Sequence, residues 1–334
     1  MPNIAFLSTA HTHTKGFLKA VSERDDANLV AIWDDMEPRG QGFSEEYGGD
    51  YSNNLDAVIS RDDVDGFIVC AENSRHLPLL EAAIPTGKPI FCEKPFMTTT
   101  ADAVKAVSLI RTHNTIVHMG YFQPFSAGMQ GVISHVQSGA LGKLTHAKYR
   151  NAHHAAYGHW FDSDALRWFA DPELAGGGAF MDMGTHAIHL MRTVLGPVKE
   201  AFATISNVSG IYSDVDDNGV ALLRFENGVV ATIEASWVQT GGPKAFEVVG
   251  STSTLYELEG RFVTAEPRED PVDVPDGQER PTRVDRLIAA INGSVPREEY
   301  DADLACAVDA VAIMEACYRS NSSGKWEDVS PTTT

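Results

Sequence analysis

Three features of this 334-residue chain predict an α/β fold in two domains. Short apolar runs of β type alternate with helix-length stretches through the first part of the chain, the length exceeds the usual single-domain size, and hairpin-like strands take over after about residue 120. The alternation predicts an N-terminal dinucleotide-binding-type α/β domain, a parallel sheet with helices on both faces, over residues 1–120. The later rhythm predicts a C-terminal α+β domain over 121–334, built on a largely antiparallel open sheet.

Parallel strands are buried on both faces and read as continuous apolar runs, as at residues 4–7, 29–33, 66–70, 90–92 and 116–119. Thr98-Thr99-Thr100 offers an N-cap before a helix over 101–111, with Ala101, Val104, Val107, Leu109 and Ile110 as its apolar face. A second helix over 126–138 stops at Gly139, and a strand follows over 144–150. Runs 219–225 and 229–237 flank Asn227-Gly228, the dipeptide that best supplies the positive φ angles of a tight hairpin. Further strands are expected over 244–249 and 254–258. Residues 266–283 are rich in Pro, Asp and Glu and read as a surface loop, and 302–319 has helical apolar spacing. This final helix is expected to pack back on one of the domains, the first included.

Composition excludes several functions. At 43% apolar and 22% charged, with no apolar run long enough to span a bilayer, the chain reads as globular and not membrane-bound. Its start lacks the basic flank and long apolar stretch of a signal peptide, so a cytoplasmic location is expected. Cys70, Cys92, Cys306 and Cys317 show no C-x-x-C spacing and read as reduced, mostly buried thiols. A formal charge of −20 disfavours nucleic acid and strongly anionic substrates, which leaves neutral sugars or polyols as the better fit.

A strand followed by a tight turn and a helix is where a dinucleotide fingerprint lies. Here the turn is Ser8-Thr9-Ala10-His11-Thr12-His13, with Ser8, Ala10 and His13 in place of glycines. Ser8 and Ala10 are small enough to let a pyrophosphate approach the backbone, and His11 and His13 either touch it or serve the turn. Asp34 ends the second strand roughly twenty residues later, where a carboxylate receives adenosine ribose hydroxyls and favours NAD over NADP. Asp35 adds to that preference and Arg39 blunts it, so NADP stays possible.

The chemistry rests on Lys94, in Glu93-Lys94-Pro95 at the end of a strand, and on a segment opened by Gly176-Gly177-Gly178 that spaces Asp182 and His186 one helical turn apart. Oxidising a secondary alcohol needs a base for the O–H proton and a donor that steadies the partial alkoxide. His186, with Asp182 fixing its tautomer and favouring its protonated form, is assigned as acceptor and Lys94 as donor; the reverse assignment is open. His189 is read as a core histidine. Residues 151–160 follow a strand as a loop crossing the pocket mouth, where His153, His154, Tyr157, His159 and Trp160 contact substrate, and Arg167 and Trp168 extend that surface. No metal is assigned; a metal hydrolase using His153, His154, His159 and His189 ranks last.

Together these pieces resemble the glucose–fructose oxidoreductase, inositol dehydrogenase and rhizopine catabolism family, Gfo/Idh/MocA. The resemblance rests on the opening strand–turn–helix, Asp34, Ala71-Glu72-Asn73-Ser74-Arg75-His76, and Gly87-Lys88-Pro89-Ile90-Phe91-Cys92-Glu93-Lys94-Pro95. It continues through Ser138-Gly139-Ala140-Leu141-Gly142-Lys143, the stretch from Gly176 to His186, and a closing helix ending near Trp326. It implies a Rossmann domain, an open sheet that often forms subunit contacts and hence a homo-oligomer, and NAD(P)-linked chemistry on a sugar, cyclitol or related polyol. By position it sets Ala71, Asn73 and His76 beside the nicotinamide half of the cofactor, Glu93 and Lys94 at the reaction centre, and Asp182 and His186 opposite. Tyr121 is assigned to the substrate and Gln123 to the cofactor, in a stretch where Pro124 replaces a frequent arginine. Two rival readings accompany the dehydrogenase: a glycosidase using transient oxidation by tightly held NAD, and a non-catalytic cofactor-sensing regulator.

Overall fold

A computed structural model of the chain describes residues 1–242 and 245–329. Strands β1 (Asn3–Leu7), β2 (Asn28–Trp33), β3 (Asp50–Ser52), β4 (Gly66–Val69), β5 (Ile90–Cys92) and β6 (Val117–Met119) form one parallel sheet in the order β3-β2-β1-β4-β5-β6. The expected strands appear with ends shifted by at most a residue. The short polar edge strand β3 was invisible to the apolar pattern, because an edge strand needs only one buried neighbour. The order reverses between β1 and β4, and such a point opens a ligand crevice at the carboxyl ends of the strands.

Helices α1 (Thr14–Ser22), α2 (Glu37–Tyr47), α3 (Leu55–Ile59), α4 (His76–Ala83) and α5 (Thr100–His113) connect these strands. In α5 the Thr99 side chain caps the first turn by accepting from Asp102 N. Its buried face is Ala103, Ala106, Val107 and Ile110, whereas Val104, expected inside, points outward. The 3.6-residue period permits both stripes, and docking onto the sheet selects one.

Helix α6 (Ala127–Gln137) is capped by Ser126 and followed by Gly139 in the left-handed region. The second sheet uses β7 (Leu144–Ala152), β8 (Val198–Ser206), β9 (Asn218–Phe225), β10 (Val230–Ser236), β11 (Glu247–Gly250), β12 (Thr254–Leu258), β13 (Arg261–Ala265), β14 (Val272–Asp273) and β15 (Glu327–Asp328). Its order is β14-β13-β12-β11-β7-β10-β9-β8-β15, and only the β7–β10 pair is parallel. The Asn227-Gly228 hairpin joins β9 and β10, with Gly228 at φ 85°. The strand expected over 244–249 begins at Glu247, and Lys244 lies outside the described residues. The loop expected over 266–283 holds the exposed two-residue strand β14.

Two short helices, α7 (Pro172–Ala175) and α8 (Thr185–Leu195), precede β8, and α9 (Arg283–Ile291) and α10 (Arg297–Ser323) close the chain. Helix α10 serves both cores. Its Leu304, Ala307, Val308 and Val311 join the core of the first sheet, and Ala310, Ile313, Met314 and Cys317 join the core of the second. Helix α9 places Val284, Leu287 and Ile288 against Ile4, Phe6 and Phe17 on the other face of the first sheet. The two sheets are therefore clamped by one apolar helix, which fixes the cleft between them. Among the described residues no helix is long and apolar enough to cross a membrane.

Candidate active site

A cavity of about 340 Å³ opens where the carboxyl ends of the first sheet face the second. Lys94 enters it from the end of β5, Thr12 and His13 from the turn before α1, and Asn151 from the end of β7. Asp182 and His186 come from the segment leading into α8. Residues remote in sequence, Lys94 and the Asp182–His186 pair, thus converge on one space.

Lys94 Nζ lies 2.6 Å from Asp182 Oδ1, with both side chains largely buried. The other carboxylate oxygen, Oδ2, accepts from Trp237 Nε1 at 2.9 Å. Burial would raise the Asp182 carboxyl, but the Lys94 ammonium and the Trp237 N–H outweigh it and hold it well below the ordinary carboxylate range. This corrects the expectation that Asp182 backs His186. Residues Phe180–Gly184 form a π-type turn, whose wider winding breaks the one-face spacing of an α-helix. Asp182 is thereby turned to the lysine.

His186 is 8% exposed and sits edge-on to the rings of Tyr121 and Phe122. Burial first, then the nearby Lys94 charge, pushes its imidazole well below the usual histidine value, so it is neutral near pH 7. Tyr121 does not contact the cavity. Its hydroxyl bonds Thr185 Oγ1 at 2.6 Å and its ring stacks on His189 at 3.8 Å, so it braces His186 rather than a substrate. His189 is a core residue, as expected.

The segment opened by three glycines is held by Asp216, whose carboxylate accepts from Gly178 N, Phe180 N and Tyr318 Oη. A Cβ on Gly178 would lie 1.8 Å from Asp216 O, which is backbone and cannot yield. Gly178→Ala is expected to lower stability by about 1–3 kcal/mol or more, read as a fall in Tm. An unchanged Tm would show that this anchor does not hold the site.

The cofactor side departs from expectation at several residues. Asp34 is fully buried: Thr9 N and Thr9 Oγ1 donate to its Oδ2, Met36 N to its Oδ1, and Arg39 spans both oxygens. It ties the turn to the strand end and is not open to a ribose. Asp35, which pairs with Arg39 and Arg75, instead borders a cleft of about 1010 Å³ together with those two arginines. Asn73 Nδ2 donates to Ala175 O, His76 Nδ1 contacts Pro95 O, and Ala71 is buried, so these three are structural. Ser8 holds φ 69° and its Oγ accepts from Ala10 N, while Ala10 O accepts from Trp168 Nε1 at 3.0 Å. Glu93 is fully buried; its Oε1 lies 3.0 Å from His13 Nδ1 and its Oε2 accepts from Lys94 N. Gln123 lines the smaller cavity and donates to Tyr149 Oη.

Residues 10–121 match the model described as oxidoreductase family, NAD-binding Rossmann fold, and residues 129–256 match the GFO/IDH/MocA C-terminal domain. The chain belongs to the Gfo/Idh/MocA family of oxidoreductases. It is 27% identical over 270 residues to inositol 2-dehydrogenase of Rhizobium meliloti, covering 79% of this chain and 76% of the relative. It is 25% identical over 229 residues to 1,5-anhydro-D-fructose reductase of Ensifer adhaerens, covering 68% and 67%. The fold is that of an inositol dehydrogenase homolog from Azotobacter vinelandii complexed with NAD+, with a TM-score of 0.82 at 19% identity over 98% and 97% of the two chains.

NAD is the cofactor of this Rossmann family, and the residues present fit it in two parts. The larger cleft, beyond the ends of β2 and β4, is lined by Asp35, Arg39 and Arg75, which could hold the adenosine half. The smaller cavity holds Lys94 and His186 for the reacting half, and Phe161 borders both.

Of the loop expected to contact substrate, His153 and Trp160 line the smaller cavity, their rings 4.8 Å apart. His154, Tyr157 and His159 do not; His159 pairs with Asp162 on the surface, and Arg167 borders the larger cleft. The loop folds over its own apolar core of Phe161, Trp168 and Phe169, which turns the intervening polar residues outward. Sequence reasoning missed Trp237, Phe122, Phe161, Leu166, Phe169 and Met183. The signal for Trp237 was its place at the end of an alternating strand, where a buried indole N–H needs an acceptor. The apolar lining residues carried no signal, because they are indistinguishable from core.

Proposed function

We propose that this chain is an NAD-dependent oxidoreductase that moves a hydride between a secondary hydroxyl of a neutral sugar, glycoside or cyclitol and nicotinamide. The observation that carries this reading is the convergence of Lys94, Asp182 and His186 on one cavity at the carboxyl ends of the Rossmann strands. When bound, NAD supplies the hydride acceptor or donor. The Lys94 ammonium, fixed by Asp182, which Trp237 holds in turn, donates to the reacting oxygen and steadies its developing charge. His186, buried and neutral, takes the hydroxyl proton in oxidation and returns it in reduction.

Support for a neutral substrate comes from the lining. Lys94 is its sole lysine or arginine among the described residues, and that charge is matched by Asp182. Phe122, Trp160, Phe161 and Leu166 offer apolar surface for the C–H face of a ring, with Asn151 and Gln123 as polar partners. The named relatives carry an inositol and an anhydro sugar in their names.

The test is the full chain incubated with NAD or NADP and a panel of sugars, glycosides and cyclitols. Reduced nicotinamide is expected to accumulate with at least one neutral polyol and not with sugar phosphates. Sugar release without net reduced cofactor selects the glycosidase reading. Cofactor binding with no turnover in either direction sinks the dehydrogenase and leaves a regulator.

A further inference from the structure

Beside the Lys94–Asp182 pair lies a cluster that the dehydrogenase chemistry does not use. One nitrogen each of His11 and His13 and one oxygen of Glu93 lie within 4.8 Å of one another, with His11 and Glu93 buried and His13 at the cavity wall. Among the described residues this is the group of three His, Cys, Asp or Glu side chains so arranged. We propose that His11, His13 and Glu93 bind a divalent transition-metal ion of the zinc type, with its remaining coordination positions open to the cavity.

Charge points the same way. Glu93 and Asp182 are two buried carboxylates, but the one ammonium between them, Lys94, has its Nζ on Asp182. Arg283 feels the field of Glu93 yet makes no ion pair with it; its guanidinium lies over the Phe122 ring. Glu93 therefore lacks a full cationic partner, and a buried anion without one is costly.

The His11 ring is only weakly engaged by the protein. Its Nδ1 accepts the His13 N–H at 3.2 Å, near the long limit, and its buried Nε2 has no partner at all. Coordination through Nε2 exchanges that weak contact for a metal bond and removes an unsatisfied buried nitrogen. Two imidazoles and one carboxylate with open positions form the donor set of catalytic zinc sites, where the ion polarises an oxygen ligand. Here that oxygen would sit in the space shared with Lys94 and His186.

The test is independent of turnover and of the dehydrogenase reading. The full chain is stripped with chelator and titrated with Zn²⁺ by calorimetry and with Co²⁺ by visible absorption. One equivalent per chain is expected, with Co²⁺ bands of a low-coordinate N/O site. His13→Ala, at a side chain 41% exposed and so safe for folding, is expected to weaken binding by more than about 10²-fold. Glu93→Gln should do the same, and the surface variant His159→Ala should bind as the parent does. Absence of stoichiometric uptake, or binding that survives His13→Ala in a folded protein, overturns the site and leaves the contact between His13 and Glu93 as a structural one.

Discussion

Replacing Lys94 by alanine is expected to cut turnover by about 10²–10⁴ while the chain still binds cofactor at the remote adenosine cleft. The lysine is the cation that faces the cavity, and its direction is set by Asp182, whose other carboxylate oxygen is held by Trp237. The substitution also strands Asp182 as a buried carboxylate held by Trp237, and removing one partner of a buried pair costs about 3–5 kcal/mol. A melting curve must therefore accompany the kinetics. The double variant Lys94→Met with Asp182→Asn removes both charges together; it should recover stability and not activity. Normal turnover by a folded Lys94→Ala protein would end the mechanism.

Acidification from pH 7 to pH 5 is expected to remove about 4 kcal/mol of folding stability through two buried histidines that do not line the reaction cavity. His118 and His189 are buried, and burial, with Arg286 near the first and Arg192 near the second, lowers each to about 3 in the folded chain. Neither His118 ring nitrogen has a partner, nor does His189 Nδ1. The unfolded chain protonates these rings near 6.5, so between about 3 and 6.5 it binds more protons than the folded one. Their contribution is complete above 6.5 and is lost as pH falls toward the folded value. Asp182, held low by Lys94, keeps its charge across this window. Denaturant titrations at the two pH values measure the loss, and His118→Phe with His189→Phe should flatten it. An unaltered slope in that variant would show the histidines are not its source.

The legible parts of this protein were those in which a residue's neighbours in sequence are also its neighbours in space. Strands β1, β2, β4 and β5 are apolar because both faces are covered, Thr99 and Ser126 cap helices from one turn away, and Asn227-Gly228 makes its hairpin alone. Lys94 and the Asp182–His186 segment were legible as motifs at a strand end and a helix start. The partners were not. Asp182 was paired on paper with His186 because an α-helix would align them, and the π-type turn at Phe180–Gly184 gives the carboxylate to Lys94 and Trp237 instead. Asp34 was read as open because it ends a strand, yet Arg39 and Thr9 close over it.

Sequence by itself determined the family, the parallel-then-antiparallel order of sheets and the lysine that faces the cavity, because each is written in local pattern. Only the tertiary structure decided which charge answers which: that Asp182 serves Lys94, that Tyr121 braces His186 and that His11, His13 and Glu93 meet. Those pairings depend on distances between segments far apart in sequence, set within the first sheet for the histidines and Glu93 and by how α10 clamps the two sheets for Lys94 and Asp182, and no local spacing encodes them.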